Sequence, residues 1–178
     1  MKITVSHMVC SRCVIVTESI LEKLGFRNFS VNMGEIELSE QPSEERMTLL
    51  KEELERVGFE IVEDKTEKII QAIKASLVEY LEQLAQGKAL KMSAYVRDKL
   101  PYEYSYLSDL FSKTENKTIE KYFIELRLDR AKEMLKYSDK DLSSIAYALG
   151  YSSPQHFASQ FKQHIGMTPS AFRAEHKN

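Results

Sequence analysis

Apolar and polar positions follow two different rhythms along this chain, and the change between them divides it. Up to residue 64 the spacing switches between period two and period 3.6. Lys2–Ser6 places Ile3 and Val5 on one face, as a half-buried strand does. Arg12–Leu24 spaces Val14, Ile15, Ile20, Leu21 and Leu24 as a helix, with Gly25 as its stop. Two alternating runs, Phe26–Asn32 and Glu35–Leu38, flank Met33-Gly34 and predict a hairpin. Ser43 is placed to cap a helix reaching about Val57, with Glu44 and Glu45 in its first turn. Gly58 ends that helix, and Phe59–Val62 predicts a last strand. The order strand–helix–strand–strand–helix–strand predicts an α+β fold over residues 1–64, a ferredoxin-like βαββαβ sandwich.

Glu63-Asp64-Lys65 marks a boundary, and the pattern over 65–178 is all-α. Thr66–Gln86 carries apolar residues at Ile70, Ile73, Leu77, Tyr80 or Leu81, and Leu84. That stripe of about two heptads suits either a dimerisation coil or the first helix of a C-terminal domain. Beyond Met92 the chain repeats itself at an offset of fifty positions: Ser93 falls on Ser143, Leu107 on Phe157, Phe111 on Phe161, Asn116 on Gly166, Thr118 on Thr168 and Tyr122 on Phe172. Each copy reads as a short helix, a break, a second helix ending in an aromatic, a tight turn and a capping Thr. This predicts one helix-turn-helix unit written twice, at about 92–115 and 141–165, joined by a linker helix over about 118–137. Such a linker is roughly 28 Å long at about 1.5 Å per residue, close to the ~34 Å between successive major-groove faces.

The second unit has the fuller set of local signals. Asp141 is placed to cap a helix through Leu149, and Ala146 is small where two helices cross. Gly150 sits where a turn needs positive φ, and Ser153-Pro154 starts the next helix. That helix turns Phe157 and Phe161 inward and presents Gln155, His156, Ser159 and Lys162 outward. Gly166 closes it, and Thr168-Pro169 opens a short helix holding Phe172. The run IAYALGYSSPQHFASQFKQHIGMTPSAFR resembles the second-unit signature of the AraC family of bacterial transcription regulators. RLDRAKEML resembles that family's linker helix, and LSDLF followed by Asn116, Thr118 and Tyr122 resembles its first unit. The resemblance spans roughly residues 68–175. It implies duplex DNA as partner, with base-reading positions at Ser105, Ser108 and Asp109 and Lys113 nearer the backbone. In the second unit it implies Gln155, Ser159 and His156, with Lys162 toward phosphate. Two departures stand out: many relatives place a basic residue where Asp109 and Ser159 stand, and Val96 and Leu100 replace the Ala146 and Gly150 of the second copy. Gln155 is the best base-reading candidate, since an amide pairs bidentately with adenine.

Charge sharpens the division. The net charge is −2, but residues 1–87 carry 10 Lys and Arg against 16 Asp and Glu, and residues 88–178 carry 15 against 11. The C-terminal half is the one suited to a polyanion. The acidic half holds both cysteines, in HMVCSRC between the first strand and the first helix. A helix N-terminus and Arg12 both favour thiolate at Cys10 and Cys13. Two thiolates suit copper(I) or another soft metal ion, whereas a closed zinc site takes four ligands and only His7 lies nearby. The element order, Met8, the Cys10–Cys13 pair and Gly58-Phe59 resemble the heavy-metal-associated domain over residues 1–64, which implies Cys10 and Cys13 as metal ligands. That family usually has Gly and Thr where this chain has His7 and Val9. A structural pair and a thiol-redox pair are the alternatives.

No Ser/His/acid set or phosphate loop stands out and the histidines show no paired metal spacing, so an enzyme is not expected. No apolar run approaches about 18 residues, so neither secretion nor a membrane span is expected. The expected protein is a cytoplasmic bacterial transcription regulator, with a ferredoxin-like sensor at 1–64 and an AraC-type domain at 65–178. RNA polymerase and a second copy of the chain are its expected further partners. The alternative is a metal-handling or thiol-redox protein whose helical tail is a protein-interaction module.

Overall fold

The computed structural model describes residues 1–88 and 91–176. The chain forms two compact units: Met1–Glu79 with Val96–Leu110, and Tyr80–Tyr95 with Phe111–Asn178.

The first unit begins β1 (Lys2–Ser6), α1 (Ser11–Lys23), β2 (Phe29–Asn32), β3 (Glu35–Leu38), α2 (Glu44–Arg56), β4 (Glu60–Val62). The strands form one antiparallel sheet in the order β2-β3-β1-β4, with Ile3 opposite Ile36 and Val5 opposite Ile61. Alternation sends Ile3, Val5, Val31, Ile36 and Leu38 to one face. There they meet Ile20 and Leu21 of α1, Leu50 and Leu54 of α2, and Phe26 and Phe59. β2 starts three residues later than the alternation predicts. Gly25 at φ 73° and Asn28 at φ 53° turn the chain before it, so Phe26 is buried from a loop, with the Arg46 guanidinium 4.2 Å from its ring centre. β4 also starts late, because the Phe59 N–H still bonds to Leu54 O at the end of α2.

Helix α3 (Lys65–Ala85) follows. Its predicted stripe is buried at Ile70, Ile73 and Leu77, but Ile69, Gln71, Ala75, Ser76 and Val78 are buried too. Within the first unit the reason is visible. A Cβ added at Gly34 in the β2–β3 turn would lie 3.4 Å from Ala75 Cβ, and Lys99 Nζ pairs with Glu79 at 2.6 Å. Ile70, Ile73 and Leu77 of the stripe are thus fully buried within one chain. Helices α4 (Met92–Lys99) and α5 (Tyr104–Glu115) come next.

The second unit holds α6 (Ile119–Tyr137), α7 (Leu142–Ala148), α8 (Pro154–Ile165) and α9 (Pro169–His176). Each starts on a predicted cap. Thr118, Asp141, Ser153 and Thr168 accept from the N–H of Lys121, Ser144, His156 and Ala171. Phe157, Phe161 and Phe172 make successive edge-on contacts, with centroids 5.7 and 5.6 Å apart. Phe161→Ala is expected to cost about 3–5 kcal/mol of stability by chemical denaturation. Gly150→Ala should cost more than Gly166→Ala. Both glycines have positive φ, but only at Gly150 would the new Cβ meet a neighbour, Leu84 Cδ1 at 2.6 Å. Equal losses at the two glycines would refute that packing.

Candidate nucleic-acid interface

The turn between α7 and α8 sets the geometry. Gly150 at φ 74° lets the Tyr151 N–H return to Ala146 O at 3.0 Å, and Ala146 is fully buried. Ser153 caps α8 and Pro154 begins it. With Phe157 and Phe161 turned in, Gln155, His156, Ser159 and Lys162 are all exposed on the opposite side, so the structure brings the four predicted residues to one helix face. No Asp or Glu occurs anywhere in α8, so nothing on this helix repels a phosphate backbone.

On α5, Ser105, Asp109 and Lys113 are exposed and Ser108 is half-buried. Tyr106, absent from the predicted set, is 48% exposed beside Ser105, with its ring centre 5.5 Å from that of Tyr102. The fifty-residue offset pairs it with His156, which is the signal that could have marked it. Burial leaves Leu107 and Phe111 as the inward residues of this helix.

The thiols are close together. Cys10 is the N-cap of α1 and Cys13 lies in its first turn, both half-buried, with sulfurs 3.6 Å apart. Partial burial pushes the Cys10 thiol pKa up, but hydrogen bonds from Cys13 and Arg12 outweigh that and leave it below its ordinary value. With metal–sulfur bonds of about 2.3 Å, two sulfurs stand about 3.8 Å apart on a tetrahedral ion and about 4.6 Å apart on a linear one. The pair as it stands fits a bent arrangement. His7 is exposed at φ 65°, with its Nδ1 2.9 Å from the Ser6 hydroxyl, and Met8 is buried in the core. Among the described residues no group of three or more His, Cys, Asp or Glu is placed to hold a metal ion. Also among them, no helix is long and apolar enough to cross a membrane.

Comparison with known proteins places the C-terminal helices. A helix-turn-helix domain family matches residues 96–175. The Msm operon regulatory protein of Streptococcus mutans is 30% identical over 92 residues, covering 52% of this chain and 33% of that protein. The xylose operon regulatory protein of Haemophilus influenzae is 38% identical over 78 residues, covering 44% of this chain and 20% of that one. The chain thus spans a third or less of the length of these relatives. Among solved structures, a transcriptional regulator from Chromobacterium violaceum, described as of AraC-type DNA-binding domain-containing proteins, is 29% identical. The two agree with a TM-score of 0.50 over 57% of this chain and 88% of that one. The chain carries an AraC-type helix-turn-helix DNA-binding domain.

The cap of α7 makes a pH prediction. Hydrogen bonds from the Ser144 backbone N–H (2.8 Å) and hydroxyl (3.0 Å) hold the Asp141 carboxyl below its ordinary pKa. A depressed folded-state pKa gives stability that is present above the unfolded value and lost as pH falls through the folded one. Asp141→Ala should therefore be less stable than wild type at neutral pH, with the gap closing on acidification through the carboxylate range. A gap in the thermal midpoints that stays constant down to about pH 2 would overturn this.

Proposed function

We propose that this chain is a transcription regulator and not an enzyme, with α8 as its principal base-reading helix. The observation that carries this reading is the acid-free outward face of Gln155, His156, Ser159 and Lys162 over a fully buried Phe161, inside an AraC-type domain. In this reading α5 contributes Ser105, Ser108, Asp109 and Lys113 to the same duplex. The operon-regulating names of the relatives support a role at promoters, with RNA polymerase and a second copy of the chain as further partners.

The division into a sensor at 1–64 and a DNA-binding domain at 65–178 belongs to this proposal. The strand order β2-β3-β1-β4 in a βαββαβ chain supports the ferredoxin-like reading of the sensor. Its ligand is copper(I) or another soft metal ion held by Cys10 and Cys13. The support is the 3.6 Å sulfur separation and the lowered Cys10 pKa, since thiolate is the liganding form.

Duplex binding by the full chain should weaken steeply as salt rises. Gln155→Ala should cost about 1–3 kcal/mol on a preferred site and relax selection at one base pair, while Lys162→Ala should weaken all sequences alike. Absence of salt-sensitive duplex binding at low ionic strength would end the reading. For the sensor, copper(I) competition titration should give one ion per chain in wild type and none in a Cys10→Ser/Cys13→Ser double variant. Equal affinities in the two proteins would remove the site.

A further inference from the structure

A half-buried arginine joins the linker helix to the reading helix. Arg127, in the middle of α6, stacks on two rings: its guanidinium carbon lies 4.2 Å from the centre of Tyr151 and 5.1 Å from that of Phe123. Its Nη2 donates to Gln160 Oε1 at 3.4 Å, and the Tyr151 hydroxyl donates to the same oxygen at 2.7 Å. Among the described residues Arg127 makes no ion pair, and its Nε has no partner. Burial pushes its pKa down from the ordinary value. A half-buried cation with a buried, unpartnered Nε and no carboxylate is a poor way to gain stability. An apolar side chain would fill the space. Fifty positions earlier, Arg127, Tyr151 and Gln160 become Leu77, Pro101 and Leu110.

What the arginine adds is direction. A leucine packs over a range of rotations, whereas a planar guanidinium stacked on a ring and aimed at one oxygen fixes its partner's orientation. Gln160 directly follows Ser159 and lies five residues after Gln155 on the same rigid helix. We propose that Arg127 is a positioning residue for base readout: through Tyr151 and Gln160 it sets the rotation of α8 about its own axis, and so the aim of Gln155 and Ser159. The proposal rests on the DNA-binding reading above. Bidentate amide contacts depend on orientation, whereas a lysine on a flexible stem finds phosphate over a range of poses. Loss of the latch should therefore degrade specificity and spare general affinity.

The test uses the full chain. Wild type enriches a preferred site from a random-sequence duplex library. Affinities for that duplex and for a random-sequence duplex of equal length are then measured across a salt series. Arg127→Lys and Gln160→Leu should each lower the preferred-over-random ratio about tenfold. Both should hold random-duplex affinity within about twofold, with the salt slope unaltered. Gln160→Glu, which keeps an acceptor oxygen, should retain the ratio. Thermal unfolding accompanies each variant, and Gln160→Leu, at a half-buried position, carries the test where a change at Arg127 prevents folding. An unchanged ratio in both Arg127→Lys and Gln160→Leu overturns the latch. So does a parallel loss on both duplexes with a salt slope shallower by about one, which would make Arg127 a phosphate contact. A wild type that enriches no sequence overturns the DNA reading itself, which separates that failure from failure of the latch.

Discussion

The second unit depends on one backbone reversal. Gly150 has positive φ, and the place its Cβ would take is already occupied by Leu84 Cδ1. Conformation and space thus both require glycine there. The reversal returns the Tyr151 N–H to α7 and turns the Tyr151 ring inward, 5.3 Å from Phe157. From that ring the rest follows. Its face receives Arg127, its hydroxyl holds Gln160, and Phe157 leads into the Phe161–Phe172 stack. The exposed face of α8 is what remains once this inner face is fixed, so the face proposed to read bases is a consequence of the turn.

The two copies of the repeat solve the same problem with different chemistry. At the position of Gly150 the first copy has Leu100, which is buried and lacks positive φ, and Pro101 follows it. A residue before proline is pushed toward extended conformations, so this turn is made by a ring constraint and not by a left-handed residue. The second helices of the two copies, α5 and α8, differ in charge as well. α5 carries Asp109 and Glu115 against Lys113, while α8 carries no acid. A phosphate backbone discriminates between such helices before any base is touched. The repeat is therefore one of architecture, and the second copy presents the helix better suited to a polyanion.

How much of this was legible follows from the range of each signal. Caps are local: Ser43, Thr118, Asp141, Ser153 and Thr168 could each be read because the side chain and the N–H it accepts from lie within three residues. The exposed face of α8 was legible for the same reason, being the complement of a 3.6-period aromatic pair. Phe26 was misplaced in a strand because apolar character does not distinguish a strand residue from a loop residue buried by its neighbours. Burial around nearly the whole of α3 was hidden because Gln71, Ala75 and Ser76 look like a polar or neutral face until distant residues cover them. Arg127 was the hardest to see. An arginine in a helix of alternating charge reads as solvated, and the groups that bury and orient it, Tyr151 and Gln160, lie on other elements 24 and 33 residues later.

The thiol pair sits where a ligand would act unequally on its two flanks. The Cys13 carbonyl accepts the Thr17 hydroxyl at 2.9 Å, and Thr17 is fully buried, so Cys13 is held by the body of α1. Cys10 stands outside the helix with an extended backbone and no side-chain cap bond. Any change in the sulfur separation must be taken up by Cys10 and the loop before it. That loop begins at His7, where φ is positive, and the preceding Ser6 hydroxyl reaches Glu60 O on β4 at 3.4 Å. An ion that widened the pair from a bent toward a linear arrangement would thus draw on the β1–β4 edge and leave the packing of α1 in place. For such an ion to regulate, this edge must differ between two states of the protein, because a ligand that binds both states equally shifts neither.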